Sequence, residues 1–141
     1  MAITMKSEYA IRLMMLLGIS GRRMKTHELI ETCKDKLPLK FTEKILADLA
    51  RKGLLKAFRG HGGGYELAKS SDIITVYDIV SAVDNPSDMI KCFINTNKLD
   101  TSAEACTVNA IWETILHKME ETLKSITLKD LIKDYEARCN T

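Results

Sequence analysis

Few residues in this chain could do chemistry. Three histidines (His27, His61 and His117) and four cysteines (Cys33, Cys92, Cys106 and Cys139) stand far apart. There is no Ser/His/Asp set and no His-Glu-x-x-His, so the common hydrolytic chemistries lack their groups. The Cys-x-x-Cys spacing of a thiol oxidoreductase is also absent. These observations argue against an enzyme. Two features remain. One is the run Arg59-Gly60-His61-Gly62-Gly63-Gly64, and the other is the pair Cys92 and Cys106, with thirteen residues between them. The glycine run is no phosphate loop. That chemistry needs a Gly-Lys-Ser/Thr ending and a helix N-terminus behind it. Here the glycines lead into Tyr65-Glu66-Leu67, which alternates as a half-buried strand does.

The elements around the glycine run say what it is for. Phe41, Ile45, Leu46, Leu49 and Ala50 recur at helical spacing and make one apolar face. Lys40, Glu43, Lys44, Ala47 and Arg51 make the opposite one. Gly53 stands where a helix C-terminus wants positive φ. Residues 54–58 read as a short strand. Glycines at the density of residues 60–64 cost too much backbone entropy for a regular element. A helix, then a two-stranded ribbon with a cationic tip, is a winged helix, whose usual ligand is duplex DNA.

Upstream, residues 7–17 form a first helix with Tyr9, Ala10, Leu13, Met14, Leu16 and Leu17 on its apolar side, ended by Gly18 and Gly21. Arg22, Arg23 and Lys25 follow as a basic turn. Thr26 is the expected N-cap of a second helix through Lys36, with Cys33 a small buried hydrophobe. Leu37-Pro38 breaks that helix before the third. The expected fold is mainly α with a small β-wing: a winged helix-turn-helix, then a long dimerisation helix.

Charge agrees. Net charge is +2, but residues 1–69 carry 14 Lys and Arg against 7 Asp and Glu, and residues 70–141 carry 7 against 12. A basic half joined to an acidic half points the first half toward a polyanion. The 141 residues suit one domain, or a small domain with an oligomerisation arm. No apolar run is long enough to span a membrane. The N-terminus, interrupted by Glu8 and Arg12, reads as helix and not as signal peptide. A cytoplasmic protein with free thiols is expected.

Downstream, Thr75-Val76-Tyr77-Asp78 resembles a capping box and opens a helix through Val83. Residues 87–102 read as a loop containing Cys92. A long helix over residues 103–125 carries the stripe Val108, Ile111, Trp112, Ile115, Met119 and Leu123. The same helix from a second subunit is its simplest cover, with the first helix the available cover within one chain. Thr127 caps a last helix to Tyr135, and residues 136–141 are expected to fray. The division is 1–84 for DNA binding, 85–102 as a sensor loop and 103–141 for dimerisation.

Together these segments resemble the IscR/NsrR/CymR-type family of bacterial winged-helix transcription regulators. The resemblance rests on Lys6-Ser7-Glu8-Tyr9-Ala10-Ile11-Arg12, on Leu37-Pro38-Leu39-Lys40-Phe41-Thr42-Glu43-Lys44-Ile45-Leu46, on Arg59-Gly60-His61-Gly62-Gly63-Gly64-Tyr65-Glu66-Leu67-Ala68, and on Ile73-Ile74-Thr75-Val76-Tyr77-Asp78-Ile79-Val80. It implies a homodimeric repressor or activator on a partly palindromic DNA operator. Redox, nitrosative or iron–sulfur status would be sensed near the dimerisation helix.

On this reading the third helix enters the major groove by its N-terminal end. Lys40, Thr42, Glu43 and Lys44 are the candidate contacts. The lysines would meet phosphates, and Glu43 can accept from cytosine N4. The wing would lie along the minor groove, with Arg59 inserted and Gly60, His61 and Gly62 close to the backbone. Tyr65 is expected to pack at the wing base. Arg22, Arg23 and Lys56 are further phosphate candidates, with solvated charge as the alternative. For sensing, the resemblance implies a 2Fe–2S cluster held by Cys92 and Cys106, with Glu8 of a second subunit as a further ligand. Cluster-binding relatives place three cysteines where this chain has two, and a histidine where it has Asn109. A reversible Cys92–Cys106 disulfide, a zinc site and two unreactive thiols stay open. So does a winged helix that regulates a metabolic enzyme through complex formation, which salt dependence would separate from DNA binding.

Overall fold

The computed structural model describes residues 3–33 and 37–140. In chain order the elements are α1 (Met5–Ser20), α2 (Thr26–Thr32), α3 (Leu39–Arg51), β1 (Leu55–Phe58), β2 (Gly64–Leu67), α4 (Val76–Val83), α5 (Asp88–Asn97), α6 (Ala103–Ser125) and α7 (Leu128–Cys139). The fold is mainly helical with one small antiparallel ribbon, as the sequence predicts.

The other elements are arranged around α1. Ala10, Leu13, Met14 and Leu17 recur at three- and four-residue spacing and are buried. Each such leucine contributes about 1.5–3 kcal/mol relative to exposure. Helices α2, α3, α4 and α7 and strand β2 all touch α1. Thr4 caps its start, accepting from the Lys6 amide at 3.2 Å. Its end lies at Gly21, beyond the expected Leu17. Gly18 does not end the helix. A Cβ there would lie 2.5 Å from Ile132 Cδ1, so the glycine lets α7 pack against α1.

Helix α3 is amphipathic as expected. Ile45, Leu46 and Leu49 are fully buried, and Gly53 closes its C-terminus at φ 80°. In α2, Lys25 and not Thr26 holds the N-cap position, and the Glu28 carboxylate accepts from the Lys25 amide at 3.2 Å. The helix stops at Cys33, which is half-buried against the core. The rest of its expected run, residues 34–36, lies outside the described residues.

Helices α4 and α7 start side by side. Thr75 with Asp78, and Thr127 with Asp130, each form a reciprocal cap at 2.9–3.1 Å. The two caps are joined by Val76 N–H to Ile126 O and Leu128 N–H to Ile74 O, both at 2.8 Å.

Two expectations are corrected. Residues 88–97 are a helix and not a loop. Met89, Ile90, Phe93 and Ile94 give it one apolar side, and Phe93 meets Trp112 with ring centroids 5.0 Å apart. Helix α7 also continues past Tyr135 to Cys139, its last turn carrying an Asp134–Arg138 ion pair at 2.6 Å. Within the chain, helix α6 packs on α5 and α4, where the first helix was the cover expected to be available if no second subunit supplied it.

The start of α1 is tied to the end of α4 through one carboxylate. Asp84 accepts from the Thr4 amide at 3.1 Å, the Thr4 hydroxyl at 2.6 Å and the fully buried Ser7 hydroxyl at 2.5 Å. Burial pushes the Asp84 carboxyl up, but the hydrogen bonds and nearby Lys6 outweigh it and hold the group below the usual aspartate value of 3.8. A depressed folded value gives stability that is complete above the unfolded pKa and is lost as pH falls through the folded one. Asp84→Ala is therefore expected to cost about 1–3 kcal/mol near neutral pH. The gap to wild type should narrow below pH 3.8. Urea unfolding across pH measures this, and a gap unchanged down to strong acid would refute it.

Candidate nucleic-acid interface

The third helix and the ribbon are continuous. Helix α3 ends at Arg51, the chain turns through residues 52–54, and β1 begins at once. The ribbon pairs Leu55 with Leu67, Lys56 with Glu66, Ala57 with Tyr65 and Phe58 with Gly64. Leu54 and Leu55 are buried, which anchors the ribbon base to the core.

On α3, Lys40, Glu43 and Lys44 are exposed. Thr42 is not. It is fully buried, and its hydroxyl donates to Pro38 O at 3.0 Å. The expectation that Thr42 contacts DNA is corrected accordingly: on this helix it lies on the core side, three residues before Ile45. Asp48 is a site residue missed in the sequence. It is 5% exposed and bridges Lys44 at 3.2 Å and Arg51 at 2.9 Å. Its signal was present in the i,i+4 and i,i+3 spacing of opposite charges. Asp48 offsets part of the positive charge of this face and fixes where two of its cations sit.

At the ribbon tip Arg59, Gly60, His61 and Gly62 are all exposed. Gly60 has φ 83°, and Gly63 N–H closes a turn onto Gly60 O at 3.0 Å. Tyr65 is half-buried and packs against the core, as expected of a packing residue, but it stands one pair from the tip end of the ribbon and not at its base. Its backbone exchanges two hydrogen bonds with Met24, at 2.9 and 2.8 Å. Met24 thus runs beside β2 as a one-residue strand. Gly64 makes this possible, because a Cβ there would lie 2.5 Å from Met24 O.

The basic turn before α2 is not a free row of cations. Arg22 pairs with Glu28 at 3.0 Å. The Arg23 guanidinium lies 3.3 Å from the Phe58 ring centroid and donates to Gly62 O at 2.7 Å. Lys56 is exposed and faces Glu66 across the ribbon.

The sulfur residues lie elsewhere. Cys92 on α5 and Cys106 on α6 are both exposed, and no disulfide joins any of the four cysteines. Glu8 pairs with Arg12 at 2.9 Å. Among the described residues, no three His, Cys, Asp or Glu side chains come together as metal ligands. Beside Cys106, the Asn109 side-chain oxygen is buried with no hydrogen-bond partner. Along the rest of α6, Val108, Ile111 and Ile115 are 41%, 53% and 42% exposed. No described helix is long and apolar enough to cross a membrane.

Comparison with known proteins gives consistent matches. The family model for Rrf2, an iron-dependent transcriptional regulator, matches residues 3–134. The transcriptional regulator IscR of Erwinia tasmaniensis is 27% identical over 96% of this chain and 81% of its own. Protein aau3 of Rhizobium meliloti is 30% identical over 94% of this chain and 86% of its own. Among solved structures, IscR of T. potens superposes with TM-score 0.75 at 28% identity, covering 98% of this chain and 90% of that one. CymR, the global cysteine regulator of B. subtilis, superposes with TM-score 0.76 at 26% identity, covering 94% and 97%.

The ribbon geometry separates two glycines. Gly64, at φ 128° and against Met24 O, admits no side chain, whereas a Cβ at Gly62 meets nothing within 4 Å. Gly64→Ala is expected to lower the unfolding free energy by about 1–3 kcal/mol. Gly62→Ala is expected to stay within about 0.5 kcal/mol of wild type. Equal stability of the two variants in chemical denaturation would contradict this account of the ribbon.

Proposed function

The chain belongs to the Rrf2 family of transcriptional regulators and binds DNA, and from that premise we propose that it acts as a homodimeric repressor on a partly palindromic operator. The family consists of regulators, and the chain is not an enzyme. Helix α3 enters the major groove, with Lys40 and Lys44 on phosphates and Glu43 on a base edge. The tip residues Arg59, Gly60, His61 and Gly62 follow the neighbouring minor groove, whose narrow parts concentrate negative potential around an inserted arginine. One observation carries this reading: the exposed charged face of α3 and the exposed cationic tip lie at the two ends of one short segment, residues 52–58, held to the core by the buried Leu54 and Leu55. They can therefore meet one duplex together.

The dimer reading is supported by α6, which has one buried residue, Ala105, among its 23. Val108, Ile111 and Ile115 would be covered by the same helix of a second copy, giving the twofold symmetry that a palindrome needs. In this division residues 1–84 bind DNA, α5 senses and α6 with α7 dimerises. Sensing is assigned to Cys92 and Cys106, exposed on two helices that pack together. A 2Fe–2S cluster there would use these two thiolates and need its remaining ligands from a second copy, where Glu8 is the nearest match to the family pattern. Without a cluster, the same thiols would act by oxidation, or the arm would sense a small molecule. Iron and sulfide content of protein purified without oxygen separates these chemistries.

The DNA reading is tested by titration of a duplex selected from a random pool. Affinity should fall steeply with salt, because bound phosphates release counterions. Arg59→Ala should weaken binding by about tenfold, the order of one base or groove contact. Lys69→Ala, exposed past the ribbon base, should change it far less. Equal small losses for the two variants, or binding indifferent to salt, would sink the assignment.

A further inference from the structure

We infer that Arg23 is a positioning residue for the wing, acting on DNA through Arg59 and not by touching phosphate; the inference rests on the DNA-binding reading above. Arg23 precedes Met24, whose backbone is paired in both directions with Tyr65. The arginine therefore starts from a point fixed beside β2, one pair from the tip end of the ribbon. Its guanidinium then grips the ribbon twice. The face covers the Phe58 ring at 3.3 Å from guanidinium carbon to ring centroid, and Nη1 donates to Gly62 O at 2.7 Å. A third contact holds its backbone, since Arg22 Nη1 donates to Arg23 O at 3.0 Å.

The two gripped points bracket the tip. Phe58 is the last residue of β1, and Gly62 is the third of the residues that follow Arg59. Arg59, Gly60 and His61 are the residues between them. With three glycines in succession after His61, this segment has little of its own to limit its conformations. A segment ordered only on binding loses affinity to that ordering, and one held beforehand does not. The Arg23 clamp supplies the hold. Only arginine suits the task, because a planar guanidinium can stack on an aromatic face and donate in its own plane at once. A lysine could replace a phosphate contact, but not this one.

The experiment is a double-mutant cycle on the selected duplex, using Arg23→Ala, Arg59→Ala and the double variant, with Arg23→Lys and Phe58→Leu alongside. Thermal unfolding of each variant shows that it is folded. We expect Arg23→Ala to weaken binding about tenfold, from the lost stacking and hydrogen bond. The slope of log affinity against log salt should stay at the wild-type value. Arg23→Lys should not rescue, and Phe58→Leu should reproduce part of the loss. In the Arg59→Ala background, Arg23→Ala should cost almost nothing further. If Arg23→Ala fails to fold, Phe58→Leu takes its place in the cycle. A salt slope reduced by about 0.9, with rescue by lysine, would mean a direct phosphate contact and overturn the inference. Additive losses from Arg23 and Arg59 would overturn it as well. An Arg59→Ala variant that binds like wild type would overturn the wing reading itself, and this inference with it.

Discussion

The structure depends on burying the Ala10, Leu13, Met14 and Leu17 stripe of α1. That helix touches the first two-helix unit, the ribbon, α4 and α7, so the burial of one apolar stripe sets the positions of elements far apart in sequence. Polar contacts add to this packing at its two ends. At the N-terminus, Thr4 and Ser7 converge on Asp84. At the C-terminus, the chain leaves Gly21 and passes within two residues into the Arg23 and Met24 contacts with the ribbon. Helix α1 thus connects the end of α4 with the ribbon tip. The conformational entropy of a glycine-rich tip is reduced by contacts that begin at the end of α1.

Charge is managed in the same local way. The first half of the chain is basic, but its cations are not equivalent. Arg22, Arg23, Lys44 and Arg51 are engaged by Glu28, Phe58 or Asp48. Lys40 and Arg59 are exposed at the two places where a duplex would be met. Long-range attraction follows the summed charge, while register follows the few cations that point outward. The buried Asp48 in the last turn of α3 gains two cationic partners and in return fixes them.

Much of this was legible in the sequence because it is local. Period-3.6 apolar spacing located α1, α3 and α6, and Thr75 and Thr127 announced their helices through caps with partners three residues on. Helix α5 was missed because its apolar signal spans only Met89 to Ile94, two pairs in ten residues, which a loop can mimic. Thr42 is a candidate contact in the sequence because it lies at the N-terminal end of α3; its burial depends on the angle at which α3 meets the core, which spacing alone does not set. The Arg23–Phe58–Gly62 and Thr4–Ser7–Asp84 contacts join residues 35 or more positions apart, and no local pattern in the chain marks them. The apolar row on α6 was legible as a stripe in need of cover, whereas the packing of α5 and α4 on that helix became visible only in the structure.

The central claim is that α3 and the ribbon tip engage one duplex together, in adjacent grooves. Photo-cross-linking from single sites tests it most directly, with a photoreactive amino acid incorporated in place of Glu43 or of His61 and the cross-linked bases mapped. The account expects major-groove bases from position 43 and minor-groove bases from position 61, about half a helical turn, or 5 base pairs, away in the same half-site. Cross-links from position 43 alone, or from neither position, would contradict it.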